Sequence, residues 1–236
     1  MRITIILALL LTFTFLSSCN LALAVEKVST GSARAVTDQG ALEVGEALIS
    51  PASSLYFLKA LRERIELAFS STRQTKAHRE LEFAVRRLRE VKSLIQQNRQ
   101  DLIEETLERY KDHINQLKGL SATDENLQET LGESVARHVY VLQTLYNQIN
   151  NLAAKRALRA SIMGIETFIS GLVSGMTDPL RQTLIDHTAL RQMAGCQFLA
   201  GQVDSPDLNE PEKQILQEYV ISCRKEAAKS GTIPTK

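Results

Sequence analysis

The chain contains no tryptophan, and aromatic residues make up only 5% of its 236 positions. Carbohydrate platforms and single-strand stacking surfaces need several exposed rings, so neither is expected. A surplus of one charge is missing too. The formal net charge is +1, and removal of Arg2 with an amino-terminal leader would leave basic and acidic side chains balanced. A general nucleic-acid binder needs clustered surplus Lys and Arg to displace counterions, so no nucleic-acid partner is expected.

Catalytic spacing is equally scarce. There are four histidines, His78, His113, His138 and His187, without a second His at i+4 or a Glu three residues before, so the ligand pairs of di-iron bundles are absent. His113 and His187 each follow an Asp, but neighbours on a helix point about 100° apart and cannot work as base and orienter. His138 flanks an apolar stripe and reads as a hydrogen-bonded core residue. Glu129 and Glu133 share a helical face, as do Glu108 and Asp112, yet the sequence supplies no third ligand. Gly171-Leu-Val-Ser174-Gly175 has the wrong spacing for a nucleophile elbow, and no phosphate or dinucleotide glycine pattern occurs. We therefore expect no catalytic residues, no cofactor, no metal and no enzyme activity.

The amino terminus is more informative. Residues 1–24 combine a positive start, the apolar run ITIILALLLTFTFL and a small-residue end, the pattern of an export signal. LSSC resembles a lipobox that would place a lipid on Cys19, whereas Ala22-Leu-Ala24 fits an ordinary cut after residue 24. An uncleaved span is the third possibility. The first cut would anchor the protein to a membrane by two acyl chains; the second would release it. In either case Cys196 and Cys223 remain as an even pair in an oxidising compartment, and a disulfide is expected, with two buried thiols as the alternative.

Residues 25–50 lack aromatics and periodicity and read as a flexible tether. From residue 51 to 229 apolar residues recur at three and four, as in Leu55, Leu58, Leu61 and Ile65, which predicts an all-α, antiparallel bundle of about seven helices. Residues 230–236 are expected to be a disordered tail, and 119–126 a possible seam. Predicted start signals are Asp101 with Glu104, Asp124, Asp178-Pro179, and Asn209 with Glu212; Gly119 is a predicted stop. Gly164, Gly171 and Gly175 are expected to permit close helix approach. Eleven basic and five acidic side chains lie between Lys59 and Arg99, and three basic and nine acidic between Asp101 and Ser134. These blocks are expected to complement one another across the bundle, the other reading being a basic face for an acidic partner.

The opening Ser53-Ser54-Leu55-Tyr56-Phe57-Leu58-Lys59, followed by HRELEFAVRRLREVKSL and IEETLERYKDHINQL, resembles a bacterial family of domains of unknown function, number 5667. Its members carry a Leu-Tyr-x-Leu-Lys opening and helical Arg-Leu-x-Glu segments. The similarity covers roughly residues 51 to 117, with Phe57 where the family has Pro. It implies an exported, helical bacterial protein and brings no catalytic residues. Leu55, Tyr56 and Phe57 are expected to dock the first helical turn on the bundle, with the Tyr hydroxyl near the rim. The expected function is that of an envelope-tethered, non-enzymatic binding or structural protein, its partner an unknown protein or envelope component, with membrane contact through Cys19 if that residue is lipidated. Alternatives are an extracytoplasmic sensor or small-ligand carrier, and a cell-envelope hydrolase.

Overall fold

Local signals decide where most helices begin, and long-range packing decides which faces they bury. The computed structural model describes residue 45 and residues 47–229, without the side chains of 226–229. The export signal with Cys19, most of the tether and the 230–236 tail lie outside the described residues. Among the described residues eight α-helices follow one another: α1 (Tyr56–Ala68), α2 (Arg73–Gln96), α3 (Ile103–Ser121), α4 (Glu125–Ala136), α5 (His138–Tyr146), α6 (Leu152–Gly175), α7 (Leu180–Ala200) and α8 (Glu210–Lys229). There is no strand among the described residues. The bundle is all-α, as the periodicity predicts. The single long helix expected from residue 123 to 149 is interrupted at Arg137, which makes two helices of one.

Start signals hold where the side chain has no stronger competitor. Asp124, an expected start, accepts from a backbone N–H three residues on, as do Thr72 and Asn151, which are not among the expected starts. Asn209 and Glu212 close a reciprocal capping box at 2.9 and 3.0 Å. Two expected caps fail. Arg99 takes the Asp101 carboxylate in a bidentate pair at 2.8 and 2.9 Å, so Leu102 begins α3 with no side-chain cap. Asp178 pairs with Arg181 at 2.8 Å, and α7 begins after Pro179. Gly119 does not stop α3, which continues through Ser121.

α2 and α3 form an antiparallel hairpin closed by the short 97–102 connection, and α3, α4, α5 and α7 pack around α6. Leu88, Leu107, Leu131, Leu142, Ile162 and Leu184, one from each helix α2 to α7, are fully buried in a single core cluster that α8 joins with Leu216 and Val220. That cluster continues across residues 119–126. α6 is the helix long and apolar enough among the described residues to cross a membrane, but more than half of its apolar window is buried inside the bundle. Its expected close-packing glycines are not used that way: a Cβ at Gly164 or Gly175 would meet nothing, and one at Gly171 only the Lys118 side chain. The tight approaches are at Gly132, where a Cβ would lie 2.7 Å from Leu184, and at Gly195, where it would lie 2.8 Å from Glu166 Oε1.

His138 and Glu166 are sealed in this core with burial as the sole cause of their shifts. His138 is fully buried and shares a 3.0 Å hydrogen bond with Tyr110, as a core histidine should. Burial pulls its imidazole down to about 4. Glu166 on α6 is buried, and its Oε1 has no hydrogen-bond partner. Burial pushes this carboxyl up to about 8, and Tyr219 from α8 lies close enough to feel its charge. Cys196 on α7 and Cys223 on α8 are joined as a disulfide with Cα atoms 6.1 Å apart.

These features have measurable consequences. Glu166 keeps a proton in the folded state that an unfolded carboxyl loses above about 4.5, so its contribution to stability falls as pH rises toward 8. His138 acts in the opposite sense: an unfolded imidazole gains its proton below about 6.5, the buried one only near 4, so its contribution falls as pH drops through that window. Between 4.5 and 6.5 the two slopes oppose each other. Above 6.5 the His138 slope has ended, and Glu166 should make stability fall by up to about 1 kcal/mol per pH unit on the way to 8, read as the difference between the wild-type and Glu166→Gln proteins in denaturation. Glu166→Gln should flatten that slope. Cys223→Ser should cost about 3 to 4 kcal/mol in the chain-entropy estimate, measured by urea denaturation of the oxidised protein.

Candidate functional site

α1 departs most sharply from its sequence pattern. Leu55, Leu58, Leu61 and Ile65 recur as a buried stripe should, yet each is about half exposed, with Phe57 at 63% and Phe69 at 85%. The inward face carries Tyr56, Lys59, Glu63 and Glu66, which repeat at the same helical spacing. No α1 residue belongs to the core cluster. Leu55 and Phe57 do not dock the first turn; Tyr56 between them does, with its hydroxyl inside a polar cluster.

That cluster is built on Glu90 of α2, whose side chain is wholly buried. Its carboxylate accepts from Lys59 Nζ at 2.5 Å and from the Tyr56 hydroxyl at 3.1 Å, and Arg87 lies 3.2 Å away. Arg87, itself 3% exposed, also pairs with Glu63 at 2.5 Å and donates to the Tyr56 oxygen. Arg109 from α3 reaches the same oxygen at 2.9 Å. Burial and the Glu90 charge push the Tyr56 hydroxyl up to about 12, against the opposing pull of Arg87 and Arg109. Toward the rim, Arg86 bridges Glu66 at 3.1 Å and Glu82 at 2.7 Å. Lys59, Arg87, Glu63 and Glu90 together carry no net charge, which lets four ionic groups share a dry site.

The two motifs that carry the family resemblance meet here. Leu-Tyr-x-Leu-Lys supplies Tyr56 and Lys59, and Arg-Leu-x-Glu supplies Arg87 and Glu90, about thirty positions on. Each carboxylate is neutralised by a cation, so the set can clamp a helix but offers no free base or nucleophile. It also changes the account of the charge blocks. Glu63 and Glu66 on α1 answer Arg86 and Arg87 on α2, so complementation occurs inside the basic block, while His113 meets Glu80 across the two blocks at 2.6 Å.

Beside α1 a groove of about 450 Å³ is lined by Leu48, Leu58, Arg62, Arg86 and Arg89 among others. Ala47 donates to Ser93 Oγ at 3.0 Å and the Ile49 carbonyl accepts from Lys59 at 3.4 Å, so the approach to α1 runs along the α2 side.

Other expected residues acquire partners that no local spacing reveals. His187 from α7 joins Glu133 and Glu129 of α4, their ligand atoms within 4.8 Å of one another. This adds the third ligand type the sequence did not offer, and the short pairing of His187 with Glu133 accounts for it as an ion pair. Glu108, by contrast, finds its partner locally, in Lys111 three residues on at 2.7 Å.

The fold and this cluster define an all-α helical bundle with an ionically clamped leading helix. Residues 48–152, just under half the chain, match the family described as a domain of unknown function, DUF5667. No curated protein and no solved structure matches the chain.

If the clamp holds α1, Glu90→Gln should release it locally. Loss of one partner from a buried ionic set costs about 3 kcal/mol or more, so amide exchange in α1 should accelerate at least a hundredfold while Leu107 and Leu117 of α3 stay protected. Arg62→Ala, which removes an exposed i,i+4 pair, should change α1 exchange less than about fivefold.

Proposed function

We propose that the protein is exported and held at the cell envelope as a non-enzymatic binding or structural protein, with the outward face of α1 as its contact surface. The observation that carries this reading is the orientation of α1. Large apolar side chains left in water are unfavourable by roughly 1.5 to 3 kcal/mol each when fully exposed, and here a buried ionic clamp fixes them outward. Such a patch, rimmed by charge, is the usual mark of an interaction site. The export pattern of residues 1–24 and the disulfide support an extracytoplasmic setting, and the lipobox at Cys19 supports a tether. The neutralised state of the clamp supports a role without catalysis.

Cell fractionation and intact mass test the tether together. The native protein should begin at acylated Cys19 and fractionate with membranes, and Cys19→Ala should release it. A mass beginning at Val25, unaffected by that change, would remove the tether and keep export. An unprocessed chain in the cytosol would sink both.

A further inference from the structure

The partner of the α1 face can be specified by its chemistry. With successive side chains about 100° apart on a helix, Phe57, Leu61, Ile65, Leu58 and Phe69 occupy one continuous arc of about 120°. Arg64 borders that arc on one edge and Arg62 on the other, and both are exposed. Arg89 lies exposed beside the Arg62 edge, in the groove with Leu48 and Leu58. The acids near this edge are Glu66, which Arg62 and Arg86 share, and Glu82, which Arg79 and Arg86 share. Cationic groups therefore outnumber carboxylates along the rim. An apolar stripe edged by arginine on both sides matches the boundary between acyl chains and anionic headgroups.

We propose that α1 is an interfacial helix: its apolar arc enters the surface of an anionic bilayer, while Arg62 and Arg64 sit against lipid phosphates. This rests on the envelope-tethered reading above. Two further observations favour a membrane over other occupants. α1 is the first helix of the described residues, and because Ala47 is already held to Ser93 of α2, the 27 residues between Cys19 and Ala47 would, as a flexible chain, reach only about 30 Å. An acylated Cys19 would thus keep α1 beside the lipid, where even a weak interfacial helix is engaged by effective concentration.

A second copy fits less well. α1 has 13 residues, and its five outward apolar side chains expose on the order of 500 Å², below the roughly 800 Å² per partner of a stable interface. Pairing two such faces would also set arginine edges against arginine edges.

The test places a nitroxide at Leu61→Cys in the full, acylated chain, with Gln182→Cys on α7 as control, on vesicles of phosphatidylcholine and phosphatidylglycerol. Collision rates with oxygen and with a water-soluble nickel chelate report whether each label is in lipid. The Leu61 label should become oxygen-accessible and nickel-protected on vesicles, about 5 to 10 Å below the headgroups, while the Gln182 label stays wet. Arg62→Glu with Arg64→Glu should reduce the inserted fraction about tenfold or more, as should replacing the anionic lipid by neutral lipid. Unchanged far-UV dichroism controls for folding, and the exposure of these side chains makes that outcome expected.

A Leu61 label that stays wet on vesicles overturns the proposal. So does one already shielded without vesicles, which assigns the face to residues 25–44 if independent of protein concentration and to a second copy if not. Cys19→Ala separates the tether from the helix. An attached chain with a wet label removes only the interfacial helix, whereas a native mass beginning at Val25 with a label that turns dry on vesicles removes only the tether.

Discussion

The Glu90 carboxylate is the group on which the leading helix depends. It has no contact with water, and three donors converge on it: the Lys59 ammonium, the Tyr56 hydroxyl and the Arg87 guanidinium. Ionised groups enter a low-dielectric site only if each meets an opposite charge and a full set of hydrogen bonds. The cluster pairs each of these charges by combining residues from α1, α2 and α3, leaving the buried Arg87 Nε without a hydrogen-bond partner, so its geometry and the position of α1 are one fact. The large side chains Phe57, Leu58, Leu61 and Ile65 of α1 are then forced to face away.

An apolar seat for α1 would have been satisfied by any rotation that buries leucines. Directional ion pairs accept one rotation and one register. The exposed rim pairs, such as Arg62 with Glu66, add little energy in water, but they close the site against solvent and leave arginine at both margins of the outward stripe. The same chemistry that fixes the helix thus also prepares its surface. In the rest of the bundle the relation is reversed: α6 is held by Leu158, Ile162, Ile165 and Ile169, and burial pushes the one carboxyl it buries, Glu166, well above the usual carboxylate range.

Much of this bundle can be read along the chain because helix starts and apolar periods are local. Asp124, Asn151 and the Asn209–Glu212 box act on residues three positions away, and nothing distant competes for them. Asp101 and Asp178 look the same in sequence, but arginines two and three residues away claim their carboxylates first. The rotation of α1 was not legible for a different reason. Its apolar and polar stripes have equal helical spacing, and the choice between them lies in Arg87 and Glu90, which a single helix does not contain. A signal was present all the same: the two halves of the family resemblance carry complementary charges at matching i,i+3 spacing. The pairing of Glu133 with His187 spans 54 positions and leaves no local trace.

The link between α7 and α8 changes what it takes to dismantle the carboxyl-terminal end. The chain between Cys196 and Cys223 includes the whole connection from residue 201 to 209 and the first half of α8. A protease that cuts this connection once opens a closed loop without freeing either piece. The severed helix stays attached through sulfur, with Leu216 and Val220 still in the core and Arg159 still gripping Asp207 on its own side of most such cuts. Loss of α8 therefore requires two events of different chemistry, hydrolysis and reduction, and neither alone completes it.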